Sequence, residues 1–275
     1  MRLNWLVFNH VDAWGMTFII AALSLALRGA LALESLAIPA ALALGAWFAF
    51  ALNDRFDVAY DAADGQKARR NAFVGGGWQY DAVLAAAFAG LAVLYAGFGG
   101  RGVAAGLGGL AAAWAYSAPP LRLKSRPGFD LFTHAAFVET FPYLAAILLA
   151  GAALTAFDAL AWVILALASL SAQLEQQARD FEVDSRFERN FTALIGLQAA
   201  HRLMQGASAL LLGAGVFGVA GGIIPAFVWP GMAMTIPMIA HRLIRPAGTP
   251  RSETLIRVSM AAGALYIAAV VALTV

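Results

Sequence analysis

The sequence predicts an all-α protein that crosses a membrane several times. Three observations support this: 61% of the 275 residues are hydrophobic, only 12% are charged, and the apolar residues form long runs. A soluble domain usually carries about 25% charged residues. The net charge of +2 is too small to attract a nucleic acid. The chain has no cysteine, which excludes disulfides, thiolate metal sites and cysteine nucleophiles.

Nine apolar stretches are long enough to cross a bilayer as helices, which takes roughly 20 residues each. They cover residues 11–28, 33–52, 78–98, 102–118, 131–155, 158–178, 202–220, 222–240 and 254–274. Stretches of this length that are rich in Ala and Leu favour helices over buried strands. Pro225, Pro230 and Pro237 predict kinks in the eighth stretch, because proline removes a helix hydrogen bond.

The basic residues predict the orientation of these helices. With a cytoplasmic N-terminus, 16 of the 18 Lys and Arg residues fall in cytoplasmic segments, and only Arg28 and Arg101 fall outside them. This distribution agrees with the positive-inside rule. We expect the first stretch to be retained, because no charged segment and cleavage site mark it as a signal peptide. The sequence therefore predicts a multi-pass protein of the cytoplasmic membrane.

Two rows of polar residues follow the second and sixth stretches. Each row has an amide and two carboxylates at spacing i, i+4, i+8, and the rows are Asn53, Asp57, Asp61 and, 123 residues later, Gln176, Asp180, Asp184. This spacing places each row on one helix face. We interpret the repetition as a single domain, 1–275, with two weakly repeated halves at roughly 1–125 and 126–240 and a last helix. The halves would face each other across a cavity.

Carboxylates at the ends of membrane helices are costly unless they are paired, hydrated or bound to cations. Oxygen ligands suit Mg²⁺, which favours one or two carboxylates together with substrate phosphates. The candidate metal ligands are Asn53, Asp54, Asp57, Asp61, Asp180 and Asp184. Basic residues nearby would bind the remaining phosphate charge, and these are Lys67, Arg70, Lys124 and Arg126. The alternative is that both segments are solvated loops of mixed charge.

Three motifs in this order carry a family resemblance. They are NDRFDVAYD at 53–61, YSAPPLRLK at 116–124 and DFEVD at 180–184. The first and last resemble the NDxxDxxxD and DxxxD signatures of the UbiA superfamily of intramembrane prenyltransferases. The segment 116–130 is most similar to the lycopene or carotenoid elongase branch. The resemblance implies nine transmembrane helices around a central cavity, with cytosolic loops over a site for Mg²⁺ and diphosphate.

The resemblance also implies a reaction. A prenyl group would pass from an allylic isoprenyl diphosphate to a lipophilic acceptor, such as a carotenoid or another isoprenoid lipid, and pyrophosphate would leave. Catalytic roles fall on Asp57, Asp61, Asp180 and Asp184. Substrate binding falls on Asn53, Lys67, Arg70, Tyr116, Ser117 and Lys124.

The sequence departs from the family at two places, Asn9-His10-Val11-Asp12 and Arg70-Asn71, which leaves the acceptor open. A terpene cyclase of the same superfamily and an aromatic or quinone-precursor prenyltransferase are alternatives. A cation transporter is a further alternative, although transporter sites lie near the bilayer midplane and not at helix ends.

Glu139 is the last candidate. It lies about nine residues beyond Asp130, so roughly 13 Å deeper along the fifth stretch. We expect it to be either the proton acceptor near the reacting carbons or a structural group that hydrogen-bonds Thr140, Tyr143 or a neighbouring helix.

Overall fold

The computed structural model describes residues 3–63, 65–182, 185 and 190–274. Within these ranges the chain forms helices joined by turns, and no strand occurs there. The helices are α1 (Leu3–Phe8), α2 (Val11–Ala26), α3 (Ala37–Phe56), α4 (Val58–Asp61), α5 (Gly65–Arg70), α6 (Trp78–Ala96), α7 (Gly99–Ser117), α8 (Phe129–His134), α9 (Phe141–Ala150), α10 (Ala156–Arg179), α11 (Phe191–Ile195), α12 (Leu197–Ala220), α13 (Trp229–Ile244) and α14 (Glu253–Thr274).

Every predicted apolar stretch overlaps a helix, and α8 continues into α9 through a π-helical turn, Ala135–Thr140. Six helical segments of the described residues are long and apolar enough to cross a membrane. They are Glu34–Phe56, Trp78–Ala96, Phe129–Ala150, Ala156–Arg179, Leu197–Ala220 and Glu253–Val270. Helix α2 is apolar but shorter. The multi-pass architecture is thus supported, and the count of nine crossings stays a prediction.

The helix in the eighth predicted stretch, α13, begins later than the predicted start at residue 222. The chain turns at Gly221 and at Gly222, whose φ is +65°. A short 3₁₀ turn, Ala226–Val228, follows, and α13 starts at Trp229 with Pro230 in its first turn. Proline is tolerated there because the first N–H groups of a helix have no intrahelical partner.

Helix packing closes the molecule around a cavity. Helix α2 packs against α3 and α9, and α3 also contacts α6 and α7. Helix α10 packs against α12 and the π-helical turn, α13 contacts α12 and α14, and α14 returns to α2. The main apolar core lies among α2, α3, α6, α7 and α9, where Ala21, Ala22, Leu25 and Ala146 are completely buried. Alanine permits this close packing because it adds little side-chain volume between helices.

Candidate active site

One cavity of about 520 Å³ lies between α2, α3, α6, α7, the α8–α9 segment and α10. Its wall combines polar residues at one end with apolar residues such as Leu42, Phe48 and Phe88. Ten of the residues predicted from the sequence line it: Asn53, Asp54, Asp57, Asp61, Lys67, Arg70, Tyr116, Ser117, Lys124 and Asp180. Asp184 lies outside the described residues.

The first acidic row forms where α3 ends. Asp57 is the residue after the last turn, with φ −93° and ψ 0°, and its N–H donates to the carbonyl of Asn53 at 3.0 Å. The Asn53 side-chain amide also donates to Asp57 Oδ2 at 3.1 Å. These two side chains therefore share a face, as the i, i+4 spacing predicts.

A basic turn between α7 and α8 covers this row. Lys124 Nζ donates to Asn53 Oδ1 at 2.9 Å and forms an ion pair with Asp57. Arg122 Nη2 lies 3.0 Å from Asp57 Oδ1, and the Arg122 guanidinium also stacks 4.3 Å from the Tyr60 ring centre. The Lys124 side chain is only 8% exposed, so its charge acts in a medium that screens weakly.

The sequence analysis did not assign Arg122 to the site. A signal was available, because Arg122 lies two residues before Lys124 in the same motif. Arg122 adopts a left-handed backbone conformation with φ +38°. Ser117, at the end of α7, completes this group by donating to Asn53 Oδ1 at 3.1 Å.

Asn71 is a second residue that the sequence did not assign to the site, and it holds Asp61 in place. Its buried amide nitrogen donates to Asp61 Oδ2 at 2.8 Å and to the carbonyl of Asp54 at 2.7 Å. The pKa of Asp61 is raised chiefly because burial disfavours its charged form, and the carboxylates of Asp57 and Asp54 add to the effect. The Asn71 hydrogen bond and Lys67 oppose it. A cation bound at this row would relieve that repulsion.

Asp54 differs from the other carboxylates of the row. Its side chain accepts from His10 Nε2 at 3.0 Å and from Asn9 Nδ2 at 3.3 Å, at the break between α1 and α2. The His10 ring stacks on Phe50 at 4.9 Å between ring centres. Asp54 therefore ties the first helix break to α3, and its oxygens are already occupied.

Asp180, in the second acidic row, has the same backbone geometry as Asp57 in the first. Asp180 follows the last turn of α10 with φ −92° and ψ 6°, and its N–H donates to the carbonyl of Gln176 at 3.1 Å. Arg179 Nε lies 2.9 Å from Asp180 Oδ1. Lys67 Nζ, from α5, lies 4.0 Å from Asp180 Oδ2. The Lys67 ammonium group, which comes from the segment after the first row, thus contacts the second row.

The segment after α10 is tied at both ends by Asp130, which the sequence analysis left unassigned. Asp130 is fully buried, and its Oδ2 accepts from Gln177 Nε2 at 2.6 Å and from the N–H of Phe191 at 2.7 Å. Gln177 Oε1 in turn accepts from the N–H and the hydroxyl of Thr192, at 3.1 and 2.9 Å. No spacing rule in the sequence pairs these residues, because they come from three separate elements.

Glu139 does not line the cavity described above. It lies in the π-helical turn and interacts electrostatically with Arg242 of α13. Arg242 Nε lies 3.0 Å from Glu175 Oε2, and Arg245 Nη2 lies 2.7 Å from Glu175 Oε1. The depth of Glu139 follows from residue spacing, whereas its direction depends on the extra residue per turn that a π-helical turn introduces.

The donor chemistry of the site fits a cation that arrives with an anion. Among the described residues, no three His, Asp or Glu side chains are gathered as a preformed metal site. The available ligands are oxygens of Asn53, Asp57, Asp61 and Asp180, which suit Mg²⁺. Lys124 and Arg122 place two positive charges against the single carboxylate of Asp57, so one positive charge remains for a phosphate ligand.

Comparison with known proteins gives no matching protein-family model and no matching curated protein. Solved structures do match. A UbiA homolog from Archaeoglobus fulgidus bound to DMAPP and Mg²⁺ has a TM-score of 0.75 at 18% identity, covering 98% of this chain and 99% of that one. The same homolog bound to GPP and Mg²⁺ has a TM-score of 0.73 at 19% identity, covering 99% and 100%.

A third solved structure, the apo form of a UbiA homolog from Aeropyrum pernix K1, has a TM-score of 0.71 at 17% identity and covers 96% of this chain and 98% of that one. The similarity extends over nearly the full length of both chains in each case. At these identities the likeness concerns the arrangement of the backbone. The chain therefore has the fold of the UbiA homologues.

Proposed function

We propose that this protein is a Mg²⁺-dependent prenyltransferase of the UbiA superfamily. It transfers a prenyl group from an allylic isoprenyl diphosphate to a lipophilic acceptor and releases pyrophosphate. The observation that carries the proposal is the contact of Lys124 and Arg122 with Asp57 at the polar end of a largely apolar cavity. Such a site matches a molecule with a charged head and a hydrocarbon tail.

The solved structures of similar fold support the nature of the donor. Their titles name DMAPP or GPP together with Mg²⁺ as the bound molecules. In this chain Asn53, Asp57, Asp61 and Asp180 would hold the metal, and Asp184 completes the second motif in the sequence. Asp54 is left out of the set because it lies off the helix face that Asn53, Asp57 and Asp61 share, and its carboxylate pairs with His10. When bound, Mg²⁺ supplies charge neutralisation on the departing diphosphate.

The side chains of the protein itself provide the remaining functions. Lys67, Arg70 and Lys124 line the cavity and place fixed positive charge around the diphosphate, which stabilises the developing negative charge. Arg122 acts on this end of the cavity through its ion pair with Asp57. Tyr116 and Ser117 line the same end of the cavity and offer hydroxyl groups. The apolar wall excludes water, which would otherwise quench the allylic cation. Phe48, Phe88 and Phe141 line the cavity, where an aromatic face turned toward the cation would stabilise it by cation–π attraction.

The reaction is tested with purified protein in lipid nanodiscs, radiolabelled geranyl diphosphate and Mg²⁺. The first acceptors to test are isoprenoid lipids of the carotenoid type, followed by aromatic quinone precursors. We expect pyrophosphate and prenylated acceptor in equal amounts, and neither in the presence of EDTA. Pyrophosphate with a cyclic hydrocarbon and no acceptor adduct would indicate a cyclase. Full turnover in EDTA, or cation flux without diphosphate consumption, would contradict the proposal.

We also propose that the acidic rows and the basic turn face the cytoplasm. The absence of cysteine allows single-cysteine variants to be labelled without background. Ala62→Cys and Thr249→Cys lie on exposed segments at the site end, and Glu34→Cys and Leu154→Cys lie on exposed segments at the other end. In intact cells an impermeant maleimide should label only the last two. The reverse pattern would overturn the orientation.

A further inference from the structure

We propose that Tyr95 sets the upper limit on the length of the donor prenyl chain. This inference rests on the proposed function and adds the class of donor to it. Tyr95 lies near the end of α6 and lines the cavity, yet its residue is only 8% exposed. Tyr95 contacts the N-terminal half of α3, whereas the polar row lies at the C-terminal end of that helix. Tyr95 is therefore positioned to meet the tail of a donor whose diphosphate is bound at the polar row.

The Tyr95 side chain is held across the cavity from α6 to α3. Its hydroxyl group donates to the carbonyl of Ala41 at 3.3 Å. Leu42 and Leu91 pack in the same apolar core as the ring. Because the hydroxyl has a backbone partner on a second helix, the Tyr95 side chain bridges α6 and α3.

Two glycines make room for this ring. A methyl group at Gly45 of α3 would lie 2.9 Å from the Tyr95 hydroxyl oxygen, closer than side-chain carbons approach such an atom. A methyl group at Gly106 of α7 would lie 3.2 Å from both Cβ and Cγ of Tyr95. The ring is thus enclosed by backbone on both sides, which leaves it little freedom to turn away from an incoming chain.

The distance from the polar row to Tyr95 can be read along two helices. Gly45 precedes Asn53 by eight residues on α3, which corresponds to about 12 Å at 1.5 Å per residue. Gly106 precedes Ser117 by eleven residues on α7, which corresponds to about 16 Å. Asn53 and Ser117 lie at the same level, because their side chains are 3.1 Å apart. Tyr95 therefore lies about 12–16 Å from the polar row.

This depth selects a donor class. An extended chain advances about 1.2 Å per main-chain bond, as in an extended peptide, so one isoprene unit with four such bonds adds about 5 Å. Two units span about 10 Å, three units about 14 Å and four units about 19 Å. Donors with two or three isoprene units fit between the polar row and Tyr95, whereas the fourth unit of a C20 donor meets the Tyr95 ring.

The experiment compares geranyl (C10), farnesyl (C15) and geranylgeranyl (C20) diphosphates in wild-type protein and three variants at this position. Tyr95→Ala removes the ring, Tyr95→Leu removes part of its volume, and Tyr95→Phe keeps the ring without the hydroxyl. Tyr266→Ala is the matched control, because it makes the same change on α14 at a residue that does not line the cavity. The readouts are kcat/KM for each donor and, without acceptor, the shift in melting temperature that each diphosphate causes with Mg²⁺.

We expect wild-type protein, Tyr95→Phe and Tyr266→Ala to prefer C10 and C15 over C20. Tyr95→Ala should raise the ratio of C20 to C10 by at least about tenfold, since a single methylene in an apolar pocket already discriminates by that factor. The ratio of C20 to C10 in Tyr95→Leu should lie between those of the wild type and Tyr95→Ala. Tyr95→Leu also replaces Tyr95→Ala as the test if the alanine variant does not fold. An unchanged donor ratio in both variants, or a change in acceptor length preference alone, would overturn the inference. Absence of binding and turnover of every donor by the wild type would instead contradict the proposed function.

Discussion

Lys67 of α5 and Asp180 at the end of α10 form an ion pair with a separation of 4.0 Å. This contact joins the segment after the first acidic row to the second row, across the polar end of the cavity. Asp57 and Asp180 also end their helices in nearly the same backbone conformation, with φ of −93° and −92°. Asp57 and Asp180 therefore occupy equivalent backbone positions at the ends of their helices, and we expect the loss of either carboxylate to have a similar effect.

The first prediction concerns these two carboxylates. Asp57→Asn and Asp180→Asn should each reduce kcat more than tenfold, which corresponds to about 1.4 kcal/mol of barrier. The reason is that each variant removes a charge that would hold the metal. Asp81→Asn is the control, because Asp81 is exposed and pairs with Arg55 away from the cavity wall. If either row variant retains more than a tenth of wild-type turnover, that row does not hold the metal.

The second prediction concerns the basic turn. Lys124→Ala should raise the donor KM and leave the acceptor KM unchanged, because the Lys124 charge acts on the diphosphate. Steady-state kinetics with each substrate varied in turn provides the measurement. Arg126→Ala serves for comparison, since Arg126 is exposed and contacts the carbonyl of Pro120. Unchanged donor kinetics in Lys124→Ala would assign this lysine to support of Asp57 alone.

The third prediction concerns pH. The raised pKa of Asp61 means that the folded protein holds this proton more tightly than the unfolded chain does. The contribution of Asp61 to the stability of the metal-free protein should therefore be fully present below its pKa in the unfolded chain and be lost as pH rises through its pKa in the folded protein. Mg²⁺ affinity should rise over the same interval, because the metal competes with the proton. Melting curves with and without Mg²⁺ test this, and Asp61→Asn should remove the pH dependence that Asp61 contributes.

The fourth prediction concerns Asp130. Asp130→Ala removes the acceptor of two hydrogen bonds and should release the N–H of Phe191, which hydrogen exchange can detect by mass spectrometry. The segment that carries Asp180 should then bind Mn²⁺, used as a spectroscopic probe, more weakly than in the wild type. Asp130→Asn retains one acceptor oxygen and should restore much of the protection. Protection of Phe191 that is identical in Asp130→Ala and the wild type would show that Asp130 does not hold this segment.

The fifth prediction separates the two glutamates near α13. Glu175→Gln should lower the free energy of unfolding by about 3–5 kcal/mol, because the buried Arg242 and Arg245 both lose their ion pair with this carboxylate. Glu139→Gln should leave the ratio of pyrophosphate to prenylated product at the wild-type value, since Glu139 does not line the cavity. Release of pyrophosphate in excess of product by Glu139→Gln would return this residue to the role of proton acceptor.

The sequence by itself determined the features that depend on local spacing. Composition and run length indicated membrane helices because burying apolar side chains in lipid requires continuous apolar segments. The i, i+4 spacing placed Asn53 and Asp57 on one face because 3.6 residues make one helical turn. The same reasoning located the basic motif that contains Lys124. None of these conclusions required knowledge of which helices are neighbours.

Only the tertiary structure decided which distant groups meet. The contacts of Asp130 with Gln177 and Phe191, and of Arg122 with Asp57, join elements whose approach no short-range pattern encodes. The direction of Glu139 around its helix was also undetermined, because a π-helical turn changes the angular relation that regular helical spacing assumes. Height along a helix follows from covalent geometry, whereas the neighbour that a side chain contacts follows from how the helices pack.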